Sequence, residues 1–263
     1  MPADNTPAAS TYVFDNAAAQ TRQRFESLAR LHDPTTFRHL EARGVKDGWR
    51  CLEVGGGGGS VVTWLSQRVG RTGRVVVTDI DIHHLTHLNQ ANVEFRQHDI
   101  VRDALEEGAF DLVYTRLVLQ HIPERAQALQ RMLAALKPGG WVVIEDYDAE
   151  TDLSDPARYP GEQRIDAWIV AARLMTARGV DLRFGRRVVG LLKATGLGEV
   201  EAEGSLVMYQ AHSPGTLLMR ANLEQLRSAL VATGTITDAE LDKDLADVRT
   251  HFINRRAATS FYS

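Results

Sequence analysis

The chain contains a single cysteine, Cys51, among 263 residues. One thiol excludes an intrachain disulfide framework, and its place before an apolar run reads as buried and inert. No apolar run approaches the roughly 18 residues that a bilayer-spanning helix needs. The opening residues, MPADNTPAAS, lack a basic segment followed by an apolar one, so no secretory signal is read there and a cytoplasmic protein is expected. Positive charge is not in excess: 30 Lys and Arg against 34 Asp and Glu leave a net charge of −4. That balance gives no general attraction to nucleic acid or to an anionic membrane. The arginines between Arg164 and Arg187 are interrupted by acids and read as a solvated face. Internal repeats and long low-complexity segments are also missing. What remains, 44% apolar and 24% charged residues, is ordinary for a soluble globular protein with one core and appended elements. A small-molecule partner is expected, and a homodimer is compatible with the composition.

The periodicity changes along the chain. Helical spacing over Asn16–Arg30 and again over residues 34–44 predicts two helices before the first strand. Arg50–Val54, Arg74–Thr78, Val93–Gln97, Phe110–Thr115 and Trp141–Glu145 are short apolar or β-branched runs, which predict five strands. Between them, helical spacing falls on Val61–Val69, on 82–91 and on a segment from Pro123 that includes Leu136 and is stopped by Lys137-Pro138-Gly139-Gly140. Such β-α alternation predicts a doubly wound α/β sheet, mostly parallel, with ligands at the strand C-termini. Residues 149–163 read as turns, 162–178 and Arg186–Thr195 as helices, and Glu199–Tyr209 as a strand. Two more helices follow, the second opening on a Thr237–Glu240 capping box and continuing through Leu241, Leu245, Val248 and Phe252. Thr259–Ser263 is read as the start of a short final strand.

The stretch EVGGGGGSVV, residues 53–62, lies between a strand and a helix, and both flanks are apolar. A flexible linker would have surface-like flanks, so the run reads as a constrained turn that lets a ligand approach the backbone. The dinucleotide fingerprint fails at its sixth position, which is Ser60 counted from Gly55 and Val61 counted from Gly56. The spacing that fits is acidic-x-Gly-x-Gly-x-Gly: Glu53, Gly55, Gly57 and Gly59. This resembles motif I of the class I S-adenosylmethionine-dependent methyltransferases. Thr78-Asp79-Ile80, His98-Asp99-Ile100, FDLVYTRLVLQHIPE at 110–124 and KPGGWVVIED at 137–146 are similar to companion motifs of the small-molecule members related to ubiquinone biosynthesis. The resemblance covers about residues 45–148.

The resemblance implies a seven-stranded Rossmann-like sheet with helical cap elements. It implies S-adenosylmethionine as cofactor, S-adenosylhomocysteine as product, and transfer of a methyl group to O, N or C of a small, largely apolar metabolite or natural product. By analogy, Glu53, Gly55 and Gly57 hold the methionine portion and order the loop. Asp79, with Ile80, faces the ribose, and Asp99 and Ile100 face the adenine. Arg116 is a candidate for the methionine carboxylate or for a structural ion pair, and Tyr12 for a segment folding over the cofactor. Two candidates remain for deprotonating or orienting the acceptor: His121, and Asp146 in the crowded run Asp146-Tyr147-Asp148. His83, His84 and His87 include an i, i+4 pair but no completing ligand, so no metal is expected. Trp168, Met175, Phe184, Tyr159, Met208 and Met219 are candidates for an acceptor pocket or for packing a lid. The expected division is a helical cap at 1–44, a cofactor core at 45–148, a lid insertion at 149–185, and the rest of the sheet with substrate-side helices at 186–263. Two alternatives stay open: a fold of this type that binds the cofactor without transferring methyl, and an NAD(P)-linked oxidoreductase.

Overall fold

Strands β1 (Arg50–Val54), β2 (Arg74–Asp79), β3 (Val93–Gln97), β4 (Phe110–Arg116), β5 (Leu136–Leu153), β6 (Val200–Tyr209) and β7 (Ile253–Tyr262) form one sheet in the order β3-β2-β1-β4-β5-β7-β6. In this computed structural model β1 to β5 are parallel, and β7 runs antiparallel between β5 and β6. The structure describes residues 13–14, 19–153, 166–209, 211–247 and 253–262, and for 150–153, 166, 206, 208, 247 and 253–262 the backbone alone. The helices are α1 (Thr21–Ala42), α2 (Ser60–Val69), α3 (Arg125–Ala134), α4 (Asp166–Ala177), α5 (Phe184–Lys193), α6 (Pro214–Ala232) and α7 (Asp238–Asp247).

The apolar strand runs exist because both sheet faces are covered. Alternate residues separate cleanly: Leu52, Val76, Val113 and Val142 pack with Leu129 and Met132 of α3 and Val188 of α5. Cys51, Val75, Leu112 and Val143 pack on the other face with Val62 and Leu65 of α2 and Leu40 of α1. Each fully buried Val or Leu side chain contributes about 1.5–3 kcal/mol of hydrophobic stabilisation. A third core, separate from the sheet, joins α4, α6 and α7 through Val170, Met175, Leu223, Leu230 and Leu241, with Val13 and Phe14 of the N-terminal segment packed into it.

Several elements differ from the sequence reading. The two expected N-terminal helices are one, α1, which passes through Pro34. An interior proline costs about 3 kcal/mol, but the side chains held on either side of it, from Arg24 and Ser27 to Thr36 and Leu40, are buried. Of the helix expected over 82–91 only a 3₁₀ turn forms, His83–Leu85. Asp81 Oδ1 accepts from the His83 backbone N–H at 3.1 Å, which favours a turn over a helix start. Leu136 opens β5 opposite Phe110 instead of closing a helix, and β5 continues to Leu153 through the start of the expected turn region because β7 pairs along it. The final strand β7 has ten residues rather than the short segment expected. The capping box is present: Thr237 Oγ1 accepts from Glu240 N at 3.2 Å, and Glu240 Oε2 accepts from Thr237 N at 2.8 Å. Val248, Phe252 and Tyr159 lie outside the described residues.

Candidate functional site

The parallel strands deliver their C-terminal ends to one edge of the sheet, and a cavity of about 470 Å³ lies there. Its floor is the glycine turn. Gly55 N donates to Thr78 O at 2.7 Å, and Thr115 Oγ1 donates to Val54 O at 2.9 Å, so β2 and β4 brace the turn from both sides. Gly55, Gly57 and Gly59 have φ of +81°, +49° and +82°, a region that side chains with a Cβ rarely adopt. Gly56 and Gly58, the variable slots, lack positive φ, yet neither has room for a Cβ. At Gly56 it would stand 2.5 Å from Val77 Cγ1, and at Gly58 2.7 Å from Phe25 Cβ. At Gly57 the nearest neighbour would be 3.7 Å away, because that position faces the cavity.

Glu53, Gly55, Gly57, Asp79, Ile80, Asp99, Ile100, Arg116 and His121 all line this one cavity. Tyr12 lies outside the described residues. Asp146 is not among the lining residues. Its strand parity is that of Val142 and Ile144, so it points to the face carrying α3 and α5, fully buried, and burial drives its carboxyl well above the usual range.

The polar groups follow the sheet order. Asp99 lies two residues past β3, Asp79 ends β2, Glu53 is in β1 and Arg116 ends β4, so three acids and one cation cross four adjacent strands. Strand spacing makes that row about 14 Å long. Glu53 is buried, its Oε2 has no hydrogen-bond partner among the described residues, and burial raises its pKa to about 8. Asp79 is also raised by burial, against the backbone N–H groups of Asp81 and Gly57. Asp99 is half exposed and accepts from Val101 N at 2.8 Å. Ile80 is 45% exposed, an unusual state for a large aliphatic side chain, and it stands at the cavity wall. Arg116 Nη1 donates to Asp33 Oδ1 at 2.9 Å and to Thr36 Oγ1 at 3.0 Å. The next residue, Leu117, holds φ of +57°, a strained backbone for a bulky side chain, at the same wall.

A smaller cavity, about 40 Å³, adjoins the first, and Arg24, Leu28, Leu117 and His121 line both. Trp168, Met175 and Tyr147 line the smaller one and not the larger. Phe184 instead packs in the α3/α5 core and Met219 in the α4/α6/α7 core, while the Met208 side chain lies outside the described atoms. His121 is buried, edge-on to Phe14 at 6.1 Å, and burial together with the charges of Arg24 and Arg125 lowers its pKa to about 3. Sequence reasoning missed Arg24 and His32, which are buried on α1 at positions where amphipathic spacing gives no warning because most of the buried residues there are polar. Phe25 falls on the helical apolar spacing of Asn16–Arg30, yet nothing in the sequence marked it as a residue of the cavity that it lines.

Asp81, His83 and His84 bring three candidate ligand atoms within 4.8 Å of one another. His83 Nδ1 is already hydrogen-bonded to Asp81 Oδ1, and His87 Nδ1 faces the His84 carbonyl oxygen at 2.9 Å, so the expected i, i+4 histidine pair does not form. Among the described residues no helix is long and apolar enough to cross a membrane.

Comparison with known proteins gives a consistent picture. A family model described as a methyltransferase domain matches residues 20–224. The ubiquinone/menaquinone biosynthesis C-methyltransferase UbiE of Pseudomonas savastanoi pv. phaseolicola is 33% identical over 121 residues, 43% of this chain and 47% of that protein. The match therefore spans about half the length of such curated relatives. The YcgJ protein of Bacillus subtilis superposes with a TM-score of 0.61 at 14% identity, over 88% of this chain and 98% of that one. Phosphoethanolamine N-methyltransferase 2 of Haemonchus contortus, in complex with S-adenosyl-L-methionine, gives 0.61 at 16% identity, over 98% of this chain and 60% of that one.

Proposed function

The chain belongs to the methyltransferase-domain family, and from that premise we propose that it binds S-adenosylmethionine in the larger cavity and methylates a small, largely apolar acceptor. The observation that carries this reading is the row of polar groups across four strand tips. An amino-acid nucleoside needs an acceptor for an ammonium, a donor for a carboxylate, an acceptor for two ribose hydroxyls and an apolar face for a base. Glu53 and Arg116, on adjacent strands, offer the first two; Asp79 offers the third; Ile80 and Ile100 offer the apolar face, with Asp99 beside it. Glu53 Oε2, without a hydrogen-bond partner among the described residues, and the open space at Gly57 fit such a ligand.

When bound, the cofactor supplies a methyl group on a sulfonium, already activated for in-line displacement. The protein's part is to align the acceptor and exclude water, and alignment alone is worth about 7–11 kcal/mol. On this reading residues 45–148 hold the cofactor, 1–44 and 149–185 cover it, and 186–263 complete the sheet and add substrate-side helices. The smaller cavity, walled by Trp168 and Met175, is the acceptor side. The net charge of −4 favours a small molecule over nucleic acid or an anionic membrane surface, and the opening residues, without a basic segment followed by an apolar one, favour a cytoplasmic setting. His121, held neutral, serves there as a hydrogen-bonding wall rather than a strong base.

Calorimetry with S-adenosylhomocysteine and with NADH tests the cofactor. Heat with the first and none with the second is expected; the reverse sinks the reading in favour of an oxidoreductase. A screen with methyl-labelled cofactor and small acceptors then separates a catalyst from a fold that only binds.

A further inference from the structure

Tyr147 lies in β5 two residues beyond its last pair with β4, still paired with Ala257 of β7, and lines the smaller cavity. Its hydroxyl lies 2.7 Å from His32 Nε2, and the rings meet edge to face with centroids 5.5 Å apart. His32 sits on the buried face of α1, behind Tyr147 and outside the cavity lining. The pair therefore links the cavity to a second titratable group through one short hydrogen bond. Arg24 brings a permanent positive charge to the same cavity, held by its Nε–Asn222 Oδ1 bond at 3.0 Å and stacked over Phe14 at 4.3 Å.

These groups suit one kind of acceptor. A tertiary amine or thioether has no proton to lose, and a protonated amine would meet the charge of Arg24. A weakly acidic hydroxyl needs its proton removed and gains from a nearby cation once it is anionic. We infer that the acceptor is a phenol- or enol-type hydroxyl compound, deprotonated through Tyr147 to His32. The proton passes from the acceptor hydroxyl to Tyr147 Oη as Tyr147 gives its own proton to His32 Nε2. The products are an acceptor oxyanion beside Arg24, a neutral tyrosine and an imidazolium. Tyr147 touches the acceptor and is the catalytic residue; His32 acts through it and is a positioning and proton-holding residue. His121 does not compete for this role, because burial beside Arg24 and Arg125 keeps it from holding a proton near neutrality.

This inference rests on the proposed methyltransferase reading, and its test is separate. The probe is 4-nitrophenol, whose yellow anion reports ionisation directly, added to full-length protein saturated with S-adenosylhomocysteine at neutral pH. Wild type is expected to bind it and to raise its ionised fraction above that in buffer. Tyr147→Phe and His32→Gln are each expected to bind S-adenosylhomocysteine within about twofold of wild type and to move the apparent pKa of the bound phenol back by about one unit, tenfold in ionisation. Phenyltrimethylammonium, a permanently cationic control, is expected not to bind. Equal ionisation in wild type and both variants, or failure of wild type to bind the phenol, overturns the relay and the hydroxyl class. Failure to bind S-adenosylhomocysteine overturns the cofactor reading instead. If one variant unfolds, the other gives the answer, because each interrupts the same hydrogen bond from a different element.

Discussion

The Asp33 carboxylate stands 2.9 Å from Arg116 Nη1, joining the cap helix α1 to the tip of β4 at the floor of the larger cavity. Both side chains are largely buried, at 14% and 16% exposure, so this is a desolvated pair and not a surface one. The same helix adds Thr36, whose hydroxyl donates to Glu145 Oε2 at 2.6 Å, and Tyr114 donates to that oxygen at 3.0 Å. Cap and sheet edge are thereby one polar network, and the cofactor cavity opens beside it.

That pair leads to the first prediction. If Arg116 receives the carboxylate of the cofactor, Asp33 competes with it. Asp33→Asn should lower the stability of the ligand-free protein by about 3 kcal/mol, since it strands a buried charge. It should also tighten S-adenosylhomocysteine by about tenfold, 1.4 kcal/mol. Chemical denaturation and calorimetry on the same preparation read both. Weaker binding in the variant would show that Arg116 serves α1 and not the ligand.

The glycine turn gives the second. The variable slots look dispensable by spacing, but the neighbours of Gly56 and Gly58 lie too close for a methyl group. Gly56→Ala and Gly58→Ala should each cost about 1–3 kcal/mol through overpacking. Gly57→Ala has room and should lose about 1–2 kcal/mol to its left-handed backbone, with a further loss of cofactor affinity because the methyl group enters the cavity. Urea denaturation with and without S-adenosylhomocysteine distinguishes the two classes: only the Gly57 variant should lose ligand-induced stabilisation disproportionately.

The third concerns Asp79. A carboxylate accepting from two ribose hydroxyls is worth about 1.5–3 kcal/mol per bond. Asp79→Ala should weaken S-adenosylhomocysteine by about two to four orders of magnitude on that basis, while the fold, relieved of a half-buried carboxylate, remains intact. A variant that binds as tightly as wild type removes the ribose assignment.

Much of this site was legible in the sequence because the strand runs are short, apolar and bounded by breakers. β1 and β3 fall on the residues their patterns mark, and the acids at their tips then follow by position. Legibility fails where structure depends on partners distant in sequence. The extension of β5 to Leu153 needs β7, a hundred residues later, to pair with it. The orientation of α1 is hard to read because most of its buried residues, Arg24, Ser27, His32, Thr36 and His39, are polar; His32 and Thr36 bond to Tyr147 and Glu145 of β5, and Arg24 to Asn222 of α6. Asp146 and Tyr147 are neighbours in sequence, yet the two-residue period of the strand sends them to opposite faces. Only Tyr147 reaches a cavity. Residue type alone favoured the acid.

The last prediction follows from Glu53. Its carboxyl is pushed up to about 8 by burial, while in the unfolded chain it has the ordinary value near 4.5. The folded protein therefore holds a proton on Glu53 that the unfolded chain releases, and the resulting stability is fully present below pH 4.5 and is lost as pH rises through about 8. Ligand-free wild type should lose stability across that window relative to Glu53→Gln, whose curve should be flatter. A cofactor ammonium paired with Glu53 needs the ionised form, so binding must expel the proton. S-adenosylhomocysteine should then bind more tightly as pH rises toward 8, by up to about tenfold per pH unit. Its calorimetric enthalpy should change with the ionisation heat of the buffer. In Glu53→Gln both the pH slope and the buffer dependence should vanish together. Persistence of either in the variant would place the released proton on another group and leave the ammonium without its proposed partner.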